Sequence, residues 1–252
     1  MEIIVLIFCL LLGLVAGISS GAFGIGGGTI TTPALRDILR VNGHIALGTP
    51  LPMVIPTAVS GALVYHRRGL IKYRVGAICA LTGSISSMAA AYMTVYFSGK
   101  VLMLITSLYI AVVAIKFALK GKKMRRTNVS HGAFLFRAML VGAVAGTLSG
   151  FLGVGGGVIL VPAMMLLLDL PIHEAIGTSL MVMAIYVIPG STIHFFLGHV
   201  DVVLLIPVVS GSILGSQVGA RIAVRTRERM LKLSFSVFLF VIAVFMAIFE
   251  LM

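Results

Sequence analysis

One glycine-punctuated apolar segment is used twice in this chain. GLVAGISSGAFGIGGGTITTPAL, beginning at Gly13, returns as GAVAGTLSGFLGVGGGVILVPAM, beginning at Gly142. The displacement is 129 positions, and 13 of the 23 ungapped positions are identical. The same displacement carries His44 onto His173, Ala46 onto Ala175, Gly48-Thr49 onto Gly177-Thr178, Gly61 onto Gly190 and Gly69 onto Gly198. A fold for this sequence must build one unit twice, and the halves divide as 1–120 and 132–252, joined by a basic linker at 121–131.

The unit belongs in a lipid bilayer. With 60% apolar and 10% charged residues, 252 positions hold more hydrophobic surface than a soluble core of that size can hide. An all-α, polytopic membrane protein follows, and at ~20 residues per span there is room for eight to ten membrane segments. The first apolar run has no basic flank or small-residue cleavage pattern, so it reads as a retained helix. Cys9 and Cys79 lie in separate spans without CxxC spacing and read as small apolar packers, not metal ligands. The net charge of +12 is gathered beside hydrophobic runs, where it sets orientation and meets anionic lipid headgroups; it does not point to nucleic acid.

Charge placement also gives the two halves opposite senses. The basic clusters are His66 to Arg74, Lys116 to Arg137 and Arg221 to Lys232, which should be cytoplasmic. The basic turn at 66–74 is equivalent to the turn at 198–201, which holds Asp201 and no Lys or Arg, and the turn near Lys100 to the basic 225–229. This opposition is the mark of two inverted-topology repeats, with both termini outside. Arg36, Arg40, Asp169 and Glu174 violate the rule under that topology, which a re-entrant segment after each glycine run would explain. Helices are expected at 2–20, 29–40, 45–65, 72–97 and 100–120, then at 132–149, 158–168, 173–197, 200–223 and 229–250. Breaks fall at 21–28 and 150–157.

The breaks carry the chemistry. Unpaired amides at bilayer depth are costly unless protein or a cavity satisfies them, and glycine permits close backbone approach at positive φ. Amides opening the next helix carry partial positive charge, a natural seat for an anion. Two such starts, meeting near the midplane, would bind an anion through Ser20, Gly21, Gly24, Gly26, Gly27 and Gly28, with Ser149, Gly150, Gly153, Gly155, Gly156 and Gly157 from the second copy. The bland alternative is close helix packing. A dinucleotide fingerprint fits poorly because the run follows a membrane span, and no G-x-x-x-x-G-K-[ST] is present for ATP.

The SGxxGxGGG runs, the GTSL element at Gly177 to Leu180 and the stretch GHVDVVLLIPVVSGSILGSQVGARIA together resemble the TauE/SafE family of sulfite and organosulfonate exporters and permeases. The first half departs at GTPL, Gly48 to Leu51. The resemblance implies a secondary carrier that moves a sulfur-containing anion across the cytoplasmic membrane, usually outward, without a cofactor. It does not choose the anion, the coupling ion or the oligomeric state, monomer or homodimer.

Further side chains able to complete a site are Thr49, Thr178 and Ser179, early in their spans, and His194, which stands where the first half has Tyr65. Each has a duller alternative: hydroxyls bond back to their own helix, and a histidine five positions before His199 is interfacial. Gln217, Ser84 and Ser86 are polar candidates of the same kind. All seven acidic residues fall near span ends, so no carboxylate relay crosses the membrane. Competing functions are an anion channel, an intramembrane enzyme using Ser20 or Ser149 with His194, and an interaction scaffold. The duplication favours a symmetric binding centre over a catalytic dyad.

Overall fold

The computed structural model of the chain describes residues 2–98, 101–102, 105, 108, 131–153 and 155–251. Most of the expected helix at 100–120 and nearly all of the linker at 121–131 lie outside the described residues. In chain order the elements are α1 (Glu2–Phe23), α2 (Gly28–Pro33) running into a π turn (Ala34–Ile38), α3 (Gly43–Gly48), α4 (Pro50–His66) and α5 (Tyr73–Met93) with a 3₁₀ turn (Thr94–Tyr96). The second half supplies α6 (His131–Leu152), α7 (Gly157–Leu167), α8 (Ile172–Phe196), α9 (Val202–Ala223) and α10 (Glu228–Leu251). The described residues form no strand. Both glycine breaks are narrower than the sequence suggests, because α1 and α6 run on to Phe23 and Leu152 before the backbone turns.

Six helical stretches among the described residues are long and apolar enough to cross a membrane: Ile3–Phe23, Gly43–His66, Tyr73–Tyr96, Gly132–Leu152, Ile172–Phe196 and Val202–Ala223. Large apolar side chains on their outer faces are open, among them Ile3, Leu81, Ile85 and Val203, each about 70% exposed. That is the surface a lipid-immersed bundle presents. By contrast, the 11-residue α7 is about 17 Å long at 1.5 Å per residue, little more than half of a ~30 Å hydrocarbon core.

Glycine stripes bring the long helices together in parallel pairs. A Cβ built on Gly13, Gly17 or Gly21 of α1 would lie 2.1, 2.3 or 2.0 Å from the carbonyl oxygens of Val208, Ser212 and Ser216 on α9. On α6, a Cβ built on Gly142, Gly146 or Gly150 would lie 2.3, 2.2 or 2.2 Å from those of Cys79, Gly83 and Ser87 on α5. The two series are the same contacts 129 positions apart, so each half lends its first helix to a helix of the other. Backbones this close gain dispersion and lose little side-chain entropy, the favoured way to pack helices in lipid.

The ends of the bundle are fixed by hydrogen bonds that recur at the same displacement. The Asp201 amide donates to Thr49 Oγ1 and the Lys72 amide to Thr178 Oγ1, both at 3.0 Å. His44 Nε2 meets the Phe97 carbonyl and His173 Nε2 the Thr226 carbonyl, both at 3.1 Å. The start of α4 therefore lies at the finish of α8, and the start of α8 at the finish of α4, so these two central helices run antiparallel. One end of the bundle gathers 44–49, Phe97 and 198–201; the opposite end gathers 66–74, 173–178 and Thr226. Glu174 sits at that second, basic end because Lys72 holds it in an ion pair of 3.0 Å, which explains an acidic residue where the charge rule expects none.

Candidate functional site

Between α1 and α2, and again between α6 and α7, the chain needs dihedrals that only glycine adopts freely. Gly24, Gly26 and Gly27 have φ of 69, 83 and 81°, and Gly153, Gly155 and Gly156 have 65, 77 and 66°. Arg40 and Asp169, closing α2 with its π turn and α7, share φ of 52 and 53°. Each short helix thus doubles back from its break. α1 enters from the end that holds His199, and α2 leads the chain back there to His44; α6 and α7 do the same from the basic end.

The two breaks meet inside the bundle. A Cβ on Gly155 would lie 3.7 Å from Gly26 Cα, and one on Gly157 only 2.4 Å from the Gly24 oxygen. Val54 of α4 would stand 3.2 Å from a Cβ built on Gly26 or on Gly155, and the Met183 sulfur of α8 3.0 Å from one on Gly26. Gly24, Gly26, Gly27, Gly28, Gly153, Gly155, Gly156 and Gly157 are all buried.

Donors and acceptors are treated differently there. The carbonyls of the breaks are taken by side chains: Tyr65 donates to Gly21 at 3.1 Å, His194 Nε2 meets Gly150 at 3.0 Å, Ser179 donates to Gly24 at 3.1 Å, Thr32 to Gly153 at 3.4 Å, and the Tyr186 hydroxyl to Gly155. The amides of Gly26, Gly27, Gly28, Gly155, Gly156 and Gly157 meet no acceptor among the described residues. Several carbonyls of the breaks are thus capped while these six N–H groups are left over among the described residues, an arrangement that offers donors and favours negative charge.

Ser20 and Ser149 sharpen this. They are equivalent in the repeat, each is 0% exposed, and neither hydroxyl has a hydrogen-bond partner among the described residues. A buried orphan hydroxyl costs about 1–3 kcal/mol. The same cost is borne at equivalent positions in both copies of the unit.

The other candidates divide. Thr49 and Thr178 accept backbone amides at opposite ends of the bundle, and Ser179 also donates to Ile176 at 2.8 Å, so these hydroxyls hold structure together. His194 is buried beside the second run. Gln217 accepts from Arg221, and Ser86 ties α5 to the Ala143 carbonyl of α6 at 2.8 Å. Two orphans were not singled out from the sequence: Thr29, directly after the first glycine run, and Ser87, whose hydroxyl would stand 2.5 Å from a Cβ built on Gly190; both are 0% exposed and unpartnered among the described residues. The position of Thr29 was the available signal. Its partner Val158 hid it from a search by symmetry.

Residues 9–246 match the family described as sulfite exporter TauE/SafE. The chain belongs to this family. Among its relatives is the probable membrane transporter protein YdhB of Bacillus subtilis, 31% identical over 81% of this chain and 85% of its own length. The probable membrane transporter protein YunE of the same organism is 28% identical over 86% and 88%. A probable membrane transporter protein of Xylella fastidiosa is 29% identical over 84% and 83%. No solved structure matches. The family, the relatives' names and the apolar helices together make this chain a multi-pass membrane transporter.

Proposed function

We propose that the chain is a secondary carrier of a sulfur-containing anion, sulfite or an organosulfonate, held between the two glycine runs and exported across the cell membrane by alternating access. The observation that carries the reading is the pair of orphan hydroxyls, Ser20 and Ser149, beside converging runs in which the amides of Gly26 to Gly28 and Gly155 to Gly157 meet no acceptor among the described residues. An oxyanion fits that demand, since its oxygens accept several donors at once and charge-assisted bonds contribute about 1.5–3 kcal/mol each. A site of dipoles and hydroxyls without a fixed cation binds moderately, as a carrier that must release its load requires.

Alternating access is supported by the recurrence of every described positive-φ residue and of the end-fixing bonds at one displacement, together with antiparallel α4 and α8. Two equivalent units running in opposite senses exchange conformations about a fixed centre, and the charge bias reads them as inverted repeats in the membrane. The basic end, 66–74, faces the cytoplasm in this reading.

The test is saturable uptake of labelled sulfite, taurine, sulfoacetate, thiosulfate and phosphate into proteoliposomes. Saturating flux of one sulfur oxyanion supports the carrier. Flux linear in concentration over the same range replaces it with a channel.

A further inference from the structure

The two ends of the carrier are built alike but titrate differently. At one end the Gly21 carbonyl is held by the Tyr65 hydroxyl; at the other the equivalent Gly150 carbonyl is held by His194. His194 Nδ1 in turn lies 3.2 Å from Nδ1 of His199, with ring centroids 5.3 Å apart. The His199 ring stands 4.8 Å from that of His44, whose Nε2 is engaged by Phe97. The basic end has Leu70 in the place of His199, leaving His173 to bond the Ala223 and Thr226 carbonyls. Among the described residues, three clustered imidazoles stand at the His199 end and not at the basic end.

Their protons can be counted. A carbonyl accepts only, so His194 Nε2 carries a hydrogen, and in neutral His194 Nδ1 is then an acceptor. His199 Nδ1 must donate to it, which leaves His199 Nε2 bare. One added proton goes to that nitrogen without breaking a bond. A second would go to His194 Nδ1, set two N–H groups face to face and break the contact. The pair takes one charge in this arrangement, and the Gly150 carbonyl it holds is one residue along the chain from Ser149.

Among the described residues, His44 of α3 lies against the His199 ring and the Gly150 carbonyl of α6 against His194; the Phe97 carbonyl engages His44, and Asp201 follows His199 by two positions in the same turn. The Asp201 carboxylate is occupied by the amides of Val203 and Leu204 at the start of α9. Among the described residues no group of three or more His, Cys, Asp or Glu is arranged to hold a metal ion. Burial first, then the neighbouring His194 and His44, holds His199 down at about 4, so the empty cluster resists the proton.

We propose that His194, His199 and His44 form a proton-binding site coupled to the anion site, so that one proton and one anion bind together and the carrier moves them as a pair. An anion beside Ser149 offsets the imidazolium charge, and by linkage the proton favours the anion equally. With neither bound, the His194–Gly150 tie holds the second run in place. This rests on the anion-carrier reading.

Two measurements on the purified full chain test it, with His199→Leu and His194→Tyr as variants that copy the other end of the molecule. The first is the melting temperature between pH 7.5 and 4 without ligand. Because the folded value is depressed, the unfolded chain binds more protons between about 4 and 6.5, so the wild type loses stability as pH falls through that window. His199→Leu loses less; identical profiles in the wild type and both variants overturn the site. The second is the affinity for isethionate, a sulfonate that stays anionic across the range. Wild-type affinity rises as pH falls, at most roughly tenfold per unit, and the variants show a flat profile. An unchanged slope in the variants overturns the coupling. If the wild type binds none of the sulfur anions at any pH, the carrier reading fails and the coupling with it, while the melting profiles still decide whether the cluster takes a proton.

Discussion

Ser20 and Ser149 make a prediction in which stability and binding move in opposite directions. Removing an orphan hydroxyl relieves a desolvation cost, so Ser20→Ala and Ser149→Ala should leave the melting temperature unchanged or slightly raised. Each should weaken anion binding by about 1.5–3 kcal/mol, roughly ten- to more than a hundredfold. Titration calorimetry beside thermal melts checks both signs, and a fall in stability with intact affinity would reassign these serines to packing. Thr29→Val is a companion test. It places the side chain of the second copy in the first, and if Thr29 serves the site, affinity drops while the fold holds. The duplication singled out both serines, but it could not show which hydroxyls lack partners. Thr49 and Thr178 look equally available in the sequence and prove to be spent on the amides of Asp201 and Lys72.

The helix pairs and the glycine breaks fail in different ways. Gly17→Leu would drive a side chain into the Ser212 backbone at 2.3 Å and separate α1 from α9, costing more than the ~1–3 kcal/mol typical of overpacking. Loss of folded protein in size-exclusion chromatography is the expected result. Gly69→Ala and Gly156→Ala share the αL penalty of about 1–2 kcal/mol, with φ of 68 and 66°. A Cβ at Gly69 meets open space, whereas one at Gly156 would lie 2.4 Å from the Ala145 and Tyr186 oxygens. Gly156→Ala should therefore lose several degrees more in melting temperature. Equal losses would mean that the glycines serve only their dihedrals. Apolar runs and glycine punctuation made the spans legible to within a few residues. The parallel pairing of α1 with α9 and of α5 with α6 was not legible, because small-residue stripes mark a contact face without naming its partner.

Across the whole chain the repeat predicts which parts of the account stand together. Opposite charge bias pointed to halves of opposite sense, which stays part of the proposal; at the centre of the bundle α4 and α8 run antiparallel. The offending Glu174 became intelligible only with Lys72 beside it, since a local ion pair outweighs a statistical bias. Convergence of the two glycine runs was expected from symmetry; the capping of their carbonyls by Tyr65, Ser179, Tyr186 and His194 was not, because those donors come from distant positions. The central claim is that the uncapped amides and the two serines hold one oxyanion. The most direct measurement is equilibrium binding of labelled sulfite or an organosulfonate to the purified chain and to the Ser20→Ala, Ser149→Ala double variant. One saturable site in the wild type, with affinity lost at least a hundredfold in a double variant that melts no lower, is the predicted result. Equal binding by both proteins would contradict it.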